Sequence, residues 1–148
     1  MARFTRRIEV PTPPEETFAY VADFSTTSAW DPGISDARRL DDGPLGEGCR
    51  FEVVSTFGGR QIPVTYTITS IRPSERVVLE GIGDRFRGVD DIRFSPAEGG
   101  GTRVQYVADL RLRGIARIAE PFMRSRFEQV VEDGARGLER TLRARGTS

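Results

Sequence analysis

The stretch Gly99–Arg143 reads "GGGTRVQYVADLRLRGIARIAEPFMRSRFEQVVEDGARGLERTLR", and its period changes partway along. Val104, Tyr106, Ala108, Leu110 and Leu112 fall at every second position, the mark of a strand with one buried face. From Ile115 the spacing becomes helical: Ile115, Ile118, Phe122, Phe127, Val130, Gly134, Leu138 and Leu142 recur at intervals of three to five. This predicts an amphipathic helix over Ile115–Arg143, with Phe127, Val130 and Leu138 buried. Glu120–Arg124, Glu132–Arg136 and Glu139–Arg143 supply i,i+4 pairs for its wet side. Pro121 should kink that helix or mark its effective start. Gly134 and Gly137 each cost a helix ~1 kcal/mol relative to Ala, so a close backbone approach is expected there.

Working back from this stretch, "RFTRRIEV" (Arg3–Val10) alternates as a first strand. "TPPEETFAYVADF" opens a helix for which Thr12 is the expected N-cap, with Glu15 completing a capping box. "STTSAW" reads as a turn or second short helix. Then come "ISDARRL", "CRFEVVSTF", "RQIPVTYTITSI", "ERVVLEGIG" and "RFRGVDDIRFSP", separated by Gly-rich turns too short for parallel crossovers. Pro63 places its part of the fourth strand at an edge or a bulge.

With 148 residues and no repeat or linker, the chain reads as one domain. It carries 22 basic and 22 acidic residues, and every basic one is Arg. A balanced total offers no global field for nucleic acid or an anionic membrane. No window approaches the ~20 apolar residues of a membrane span, and Met1–Val10 lacks a signal-peptide core. The lone Cys49 excludes an internal disulfide and reads as a small buried hydrophobe, consistent with a cytoplasmic protein.

The motifs "IEVPTPPEETFAYVADF", "WDPGISDARRL", "GPLGEGCRF", "VTYTITSIRPSERVVLEG" and "GGGTRVQYVADLRLRG", with the closing helix, span nearly the whole chain. Together they resemble the START/Bet v 1-like (SRPBCC) superfamily, in particular its polyketide cyclase/dehydrase-like branch. The resemblance implies an α+β helix-grip fold: a curved antiparallel sheet of six to seven strands around a long C-terminal helix, with an apolar cavity between them. Such cavities serve lipid, sterol or hormone binding, polyketide cyclisation or dehydration, and partner recognition. Fold likeness therefore supplies a pocket and no reaction.

The residues exclude several chemistries. Without His and with one Cys, zinc has no ordinary ligand set, and Asp90 and Asp91 point to opposite faces of a strand. Asp41-Asp42 lacks calcium-loop spacing, and "GIGDRF" carries Phe86 where a phosphate loop needs its third Gly. No metal and no cofactor is expected. Asp31-Pro32-Gly33 is turn chemistry beside the only Trp.

What remains is the inward face of the sheet. Alternation places Phe51, Val53, Ser55, Phe57, Ile62, Val64, Tyr66, Ile68, Val77, Leu79, Gly81, Phe86, Gly88, Asp90, Ile92 and Phe94 there. Gly81, Gly88 and Ala108 opposite Phe122, Met123 and Phe127 should leave volume, and an apolar cavity with few polar groups is the form of a small-molecule site. The expected ligand-binding residues are Trp30, Phe51, Val53, Tyr66, Leu79, Phe86, Asp90, Tyr106, Ala108, Phe122, Met123 and Phe127. Asp90, Tyr66 and Tyr106, with Arg6, are its polar exceptions. Asp90 pairs with an Arg, anchors a ligand hydroxyl or carbonyl, or serves as the one candidate for acid–base catalysis. The leading expectation is a cytoplasmic monomer or homodimer that binds an apolar small molecule such as a lipid, polyketide or isoprenoid. An aromatase/cyclase or dehydratase-type enzyme and a protein-partner module are the alternatives.

Overall fold

Alternating apolar runs joined by tight turns can bury their inner faces only by curling over another element, and the long helix is what they curl over. The computed structural model describes residues 2–146. β1 (Ala2–Val10) leads through α1 (Pro14–Ala22), a 3-10 turn (Phe24–Thr26) and α2 (Thr27–Trp30) to β2 (Ile34–Arg39). There follow β3 (Arg50–Phe57), β4 (Arg60–Arg72), β5 (Arg76–Gly83), β6 (Phe86–Pro96) and β7 (Thr102–Leu112). A 3-10 segment (Gly114–Ala119) then joins α3 (Glu120–Gly146). The seven strands form one antiparallel sheet in the order β1-β7-β6-β5-β4-β3-β2. This is the α+β helix-grip arrangement, with α3 against β1 and β7 and touching α2.

The inner face carries two apolar clusters. One gathers Phe18, Trp30, Phe51, Leu79, Ile92, Leu138 and Leu142; the other gathers Phe4, Leu110 and Phe127. Gly137 explains how α3 reaches α2: a Cβ there would lie 1.8 Å from the Trp30 carbonyl oxygen. Gly134 faces the Asp31 carboxylate, where a Cβ would stand 3.1 Å from Oδ2. The two helix-weakening glycines thus fix the crossing and set the Trp30-Asp31 corner against the middle of α3.

Some sequence expectations hold and others change, among them Val130, which is half-buried rather than buried. Pro13, not Thr12, is the N-cap of α1, with no side-chain capping bond. Thr12 is buried instead, its hydroxyl 2.5 Å from that of Thr17, so packing onto Thr102 displaces the capping box. The chain over Gly114–Ala119 is 3-10 rather than α, and the helix proper starts at Glu120 with Pro121 in its first turn. Ile115, Ile118 and Phe122 consequently leave the apolar stripe and stand 89%, 77% and 83% exposed. Pro63 pairs with Val54 of β3, but the β4–β5 ladder begins only at Val64, so its missing N–H falls where no partner strand runs. The pairs Glu132–Arg136 and Glu139–Arg143 form at 3.0 and 3.2 Å, whereas Arg124 lies over the Phe4 ring. Cys49 is buried as a free thiol, and its sulfur accepts a hydrogen bond from Arg39 Nε at 3.3 Å.

Candidate functional site

Where the two apolar clusters meet under α3, the sheet leaves a cavity of about 180 Å³. Val53, Val64, Ala108 and Leu110 form its floor, and Phe127, Val130, Val131 and Ala135 of α3 its roof. Trp30 and Asp31 close one end, while Phe57, Ile62, Phe86 and the exposed Arg85 line the other.

The expected glycine voids contribute less than the sequence suggests. A Cβ at Gly81 would meet the Tyr66 ring at 2.5 Å, so that ring already fills the space. The Phe86 ring covers Gly88 in the same way, at 3.0 Å. The glycines hold two aromatic side chains flat against the sheet, and the cavity lies beyond them.

Of the residues expected in the site, Trp30, Val53, Tyr66, Phe86, Asp90, Tyr106, Ala108 and Phe127 line the cavity. Four do not. Phe51 and Leu79 are wholly buried in the core, filled by neighbours rather than facing the void. Met123 packs on the Phe4–Phe127 cluster, and Phe122 projects outward because α3 starts later than its spacing implied. Asp31 is the liner that the turn reading passed over. It does form the turn, accepting from the Gly33 N–H at 2.9 Å, while lining the cavity. Its position beside the only Trp, with Gly134 at helical register opposite, was the available signal.

On the sheet side of the wall, Asp90, Tyr106 and Tyr66 form a buried polar cluster. Asp90 of β6 is only 6% exposed and its Oδ2 accepts a hydrogen bond from the Tyr106 hydroxyl at 2.6 Å. Asp90 faces Ala108 across the ladder, so Tyr106, two residues earlier on β7, is its diagonal neighbour. The partner is therefore a phenol, not the Arg that was one expectation. Asp91, on the opposite face, takes the arginine instead, pairing with Arg76 at 2.7 Å. Arg6 also lines the cavity, but its guanidinium is held on α3, 2.5 Å from Glu132 and 3.7 Å from Glu128. The Tyr66 hydroxyl makes no hydrogen bond to another described residue.

Burial dominates the electrostatics. It pushes the Asp90 carboxyl up to about 7, against the opposing Tyr106 hydrogen bond and with help from the Asp31 charge. Burial likewise raises Asp31 to about 6, opposed by the Gly33 N–H and aided by Asp133. Tyr66 and Tyr106 are both raised well above the ordinary phenol value, first by burial and then by the Asp90 charge, so both stay neutral. The wall thus offers a carboxyl whose proton affinity lies near neutrality, braced by one phenol with a second nearby. Such a group donates or accepts a hydrogen bond and exchanges a proton readily near neutrality. Among the described residues, no group of three or more His, Cys, Asp or Glu side chains is placed to hold a metal ion. No helix of the described chain is long and apolar enough to cross a membrane.

Comparison with known proteins follows the same lines. The profile of the family described as "Polyketide cyclase / dehydrase and lipid transport" matches residues 1–143. No curated protein matches the sequence. Among solved structures, a START superfamily protein from Mycobacterium smegmatis superposes with a TM-score of 0.80 at 17% identity, covering 96% of this chain and 97% of its own. A protein from Thermus thermophilus gives 0.77 at 18% identity, covering 98% and 97%. The Zhui aromatase/cyclase from a Streptomyces species gives 0.77 at 13% identity, covering 98% and 93%. At these identities the structural likeness establishes the fold alone.

Proposed function

The chain belongs to the polyketide cyclase/dehydrase and lipid transport family, and from its cavity we propose that it binds a small, largely apolar molecule carrying one hydroxyl or carbonyl group. The observation that carries this reading is the buried polar cluster of Asp90 with Tyr106 and Tyr66 in a largely apolar cavity, whose other polar liners are Arg6, Asp31, Ser55 and Arg85. Apolar surface supplies the driving force for entry, and the cluster selects ligands that satisfy it. Size narrows the class. A dry cavity of ~150 Å³ accommodates benzene, so about 180 Å³ suits a compact ring system or a short chain better than a whole lipid tail.

The test uses two ligands of nearly equal shape, naphthalene and 2-naphthol, on the wild type and on Asp90→Leu. Trp30 lines the cavity, so its fluorescence should respond to both, and both should raise the melting temperature by mass action. Asp90→Leu should weaken 2-naphthol by ~10-fold or more, the loss of one buried hydrogen bond, while sparing naphthalene. Equal weakening of the two would remove Asp90 from the site, and no response to either would leave a cavity without a ligand role.

A second reading, an enzyme of the cyclase or dehydratase kind, is favoured by one observation: the proton affinity of Asp90 sits near neutrality inside the cavity. There the Asp90 carboxylate would take a proton from a carbon beside a carbonyl, with Tyr66 donating to the developing enolate oxygen. Deuterium exchange at the α-carbon of a cyclic monoketone, 1-tetralone, followed by NMR, tests it. Exchange accelerated by the wild type and lost in Asp90→Asn supports catalysis; equal exchange by both proteins opposes it.

A further inference from the structure

Three large apolar side chains that the 3-10 segment and the start of α3 leave exposed are gathered in one place. Ile115, Ile118 and Phe122 stand 77–89% exposed along the 3-10 segment and the first turn of α3. Single exposed apolar residues are ordinary, but three on consecutive turns form a surface that water alone does not favour.

A second feature adjoins them. Arg87, Arg111, Arg113 and Arg117 line an open depression of about 410 Å³, with Glu120 as its one acid. Arg87 and Arg111 lie directly opposite each other in the β6–β7 ladder, and like charges so placed repel. Arg87 is partly balanced by Glu80 at 3.0 Å, and Arg113 donates to the Gly83 carbonyl at 2.9 Å. The balanced charge of the whole chain therefore conceals a local excess of guanidinium, the side-chain group best shaped for phosphate oxygens. Leu112 borders both this depression and the apolar cavity, so the two sites share a wall.

Protruding apolar side chains next to a cluster of arginines are the two halves of an interfacial anchor. We propose that the Gly114–Phe122 segment docks on an anionic lipid bilayer. Ile115, Ile118 and Phe122 enter the acyl boundary, and the arginine depression holds lipid phosphates. Charge complementarity selects this occupant: a second copy of the chain would bring the same guanidinium excess to the contact, whereas an anionic leaflet neutralises it. The docked face lies beside the Arg85–Phe86 end of the cavity, which would open toward the lipid. The proposal does not depend on the cavity's occupant, because vesicle binding is measured without any added ligand.

The test is flotation with vesicles of phosphatidylcholine alone and of phosphatidylcholine with about one-third phosphatidylglycerol. The expected result is binding to the anionic vesicles, weakened by salt, with little binding to the neutral ones. Arg117→Gln should reduce anionic binding roughly fivefold, the effect of one basic residue at such a surface. Ile118→Ser with Phe122→Ser should abolish it while leaving the thermal melt unchanged, since both side chains are exposed. Failure to float with anionic vesicles, or undiminished flotation of the double variant, would overturn the proposal. So would a dimer in sedimentation that the same double substitution dissolves, which would make the patch a contact between copies.

Discussion

Asp90→Asn keeps the shape of the side chain and its acceptance of the Tyr106 hydrogen bond, but removes the ionisable group. In the unfolded chain Asp90 titrates near 3.8; in the folded protein burial raises it to about 7. The folded state thus holds the proton more tightly, so the stabilising linkage is full below 3.8 and is lost as pH rises through 7. At ~1.4 kcal/mol per tenfold change in proton affinity, a rise from 3.8 to about 7 costs the wild type ~4 kcal/mol once Asp90 is ionised. Asn pays none of this. Asp31, raised to about 6, adds a loss of the same sign to both proteins and cancels in their difference except for its coupling to the Asp90 charge, which adds to the wild type's loss. Urea unfolding of both proteins from about pH 5 to about pH 8.5 measures that difference. Asp90→Asn should gain on the wild type steadily up to about pH 7 and hold its lead above it. A pH-independent difference, or a wild type that gains as pH rises, would mean that Asp90 is solvated or paired with a cation, and the account of the polar patch would fail.

Gly137→Ala should destabilise the protein by ~1–3 kcal/mol or more through overpacking, because its Cβ would meet the Trp30 carbonyl at 1.8 Å. Gly134→Ala, with 3.1 Å to Asp31 Oδ2, should cost far less, since helix propensity offsets ~1 kcal/mol. Thermal melts that rank the two the other way would contradict the α2–α3 crossing. Leu138→Ala, at a site 1% exposed, should cost ~2–5 kcal/mol in denaturant unfolding, and a loss below ~0.5 kcal/mol would place Leu138 outside the core.

The strands were legible because the curved sheet has a single inner face, so alternation alone sorts Phe51, Val53, Val64, Leu79, Ile92, Val104 and Leu110 inward. The close approach at Gly137 was legible as well, from the cost of glycine in a helix. The start of α3 was not. Ile115, Ile118 and Phe122 have the intervals of a buried stripe, yet a 3-10 backbone turns by a different angle per residue and carries them to the surface. Cavity shape was also hidden: glycine opposite an aromatic reads as empty space until the Tyr66 and Phe86 rings are seen lying across Gly81 and Gly88. The Asp90–Tyr106 pair was within reach. The turn at 97–101 fixes Pro96 opposite Thr102, and counting back along that register makes Asp90 and Tyr106 diagonal neighbours on the inner face.

The central claim is that the space beneath α3 receives a small apolar molecule, and methyl NMR during titration with 2-naphthol tests it most directly. Val53, Val64, Ala108 and Leu110 line the cavity, whereas Val10, Val21 and Val77 are buried in the core without lining it and serve as internal controls. Ring currents from a bound naphthol should move the first set in a saturable manner and leave the second nearly still. Saturation with no movement at Ala108 and Val64, or movement confined to the exposed Ile115 and Ile118, would contradict the claim.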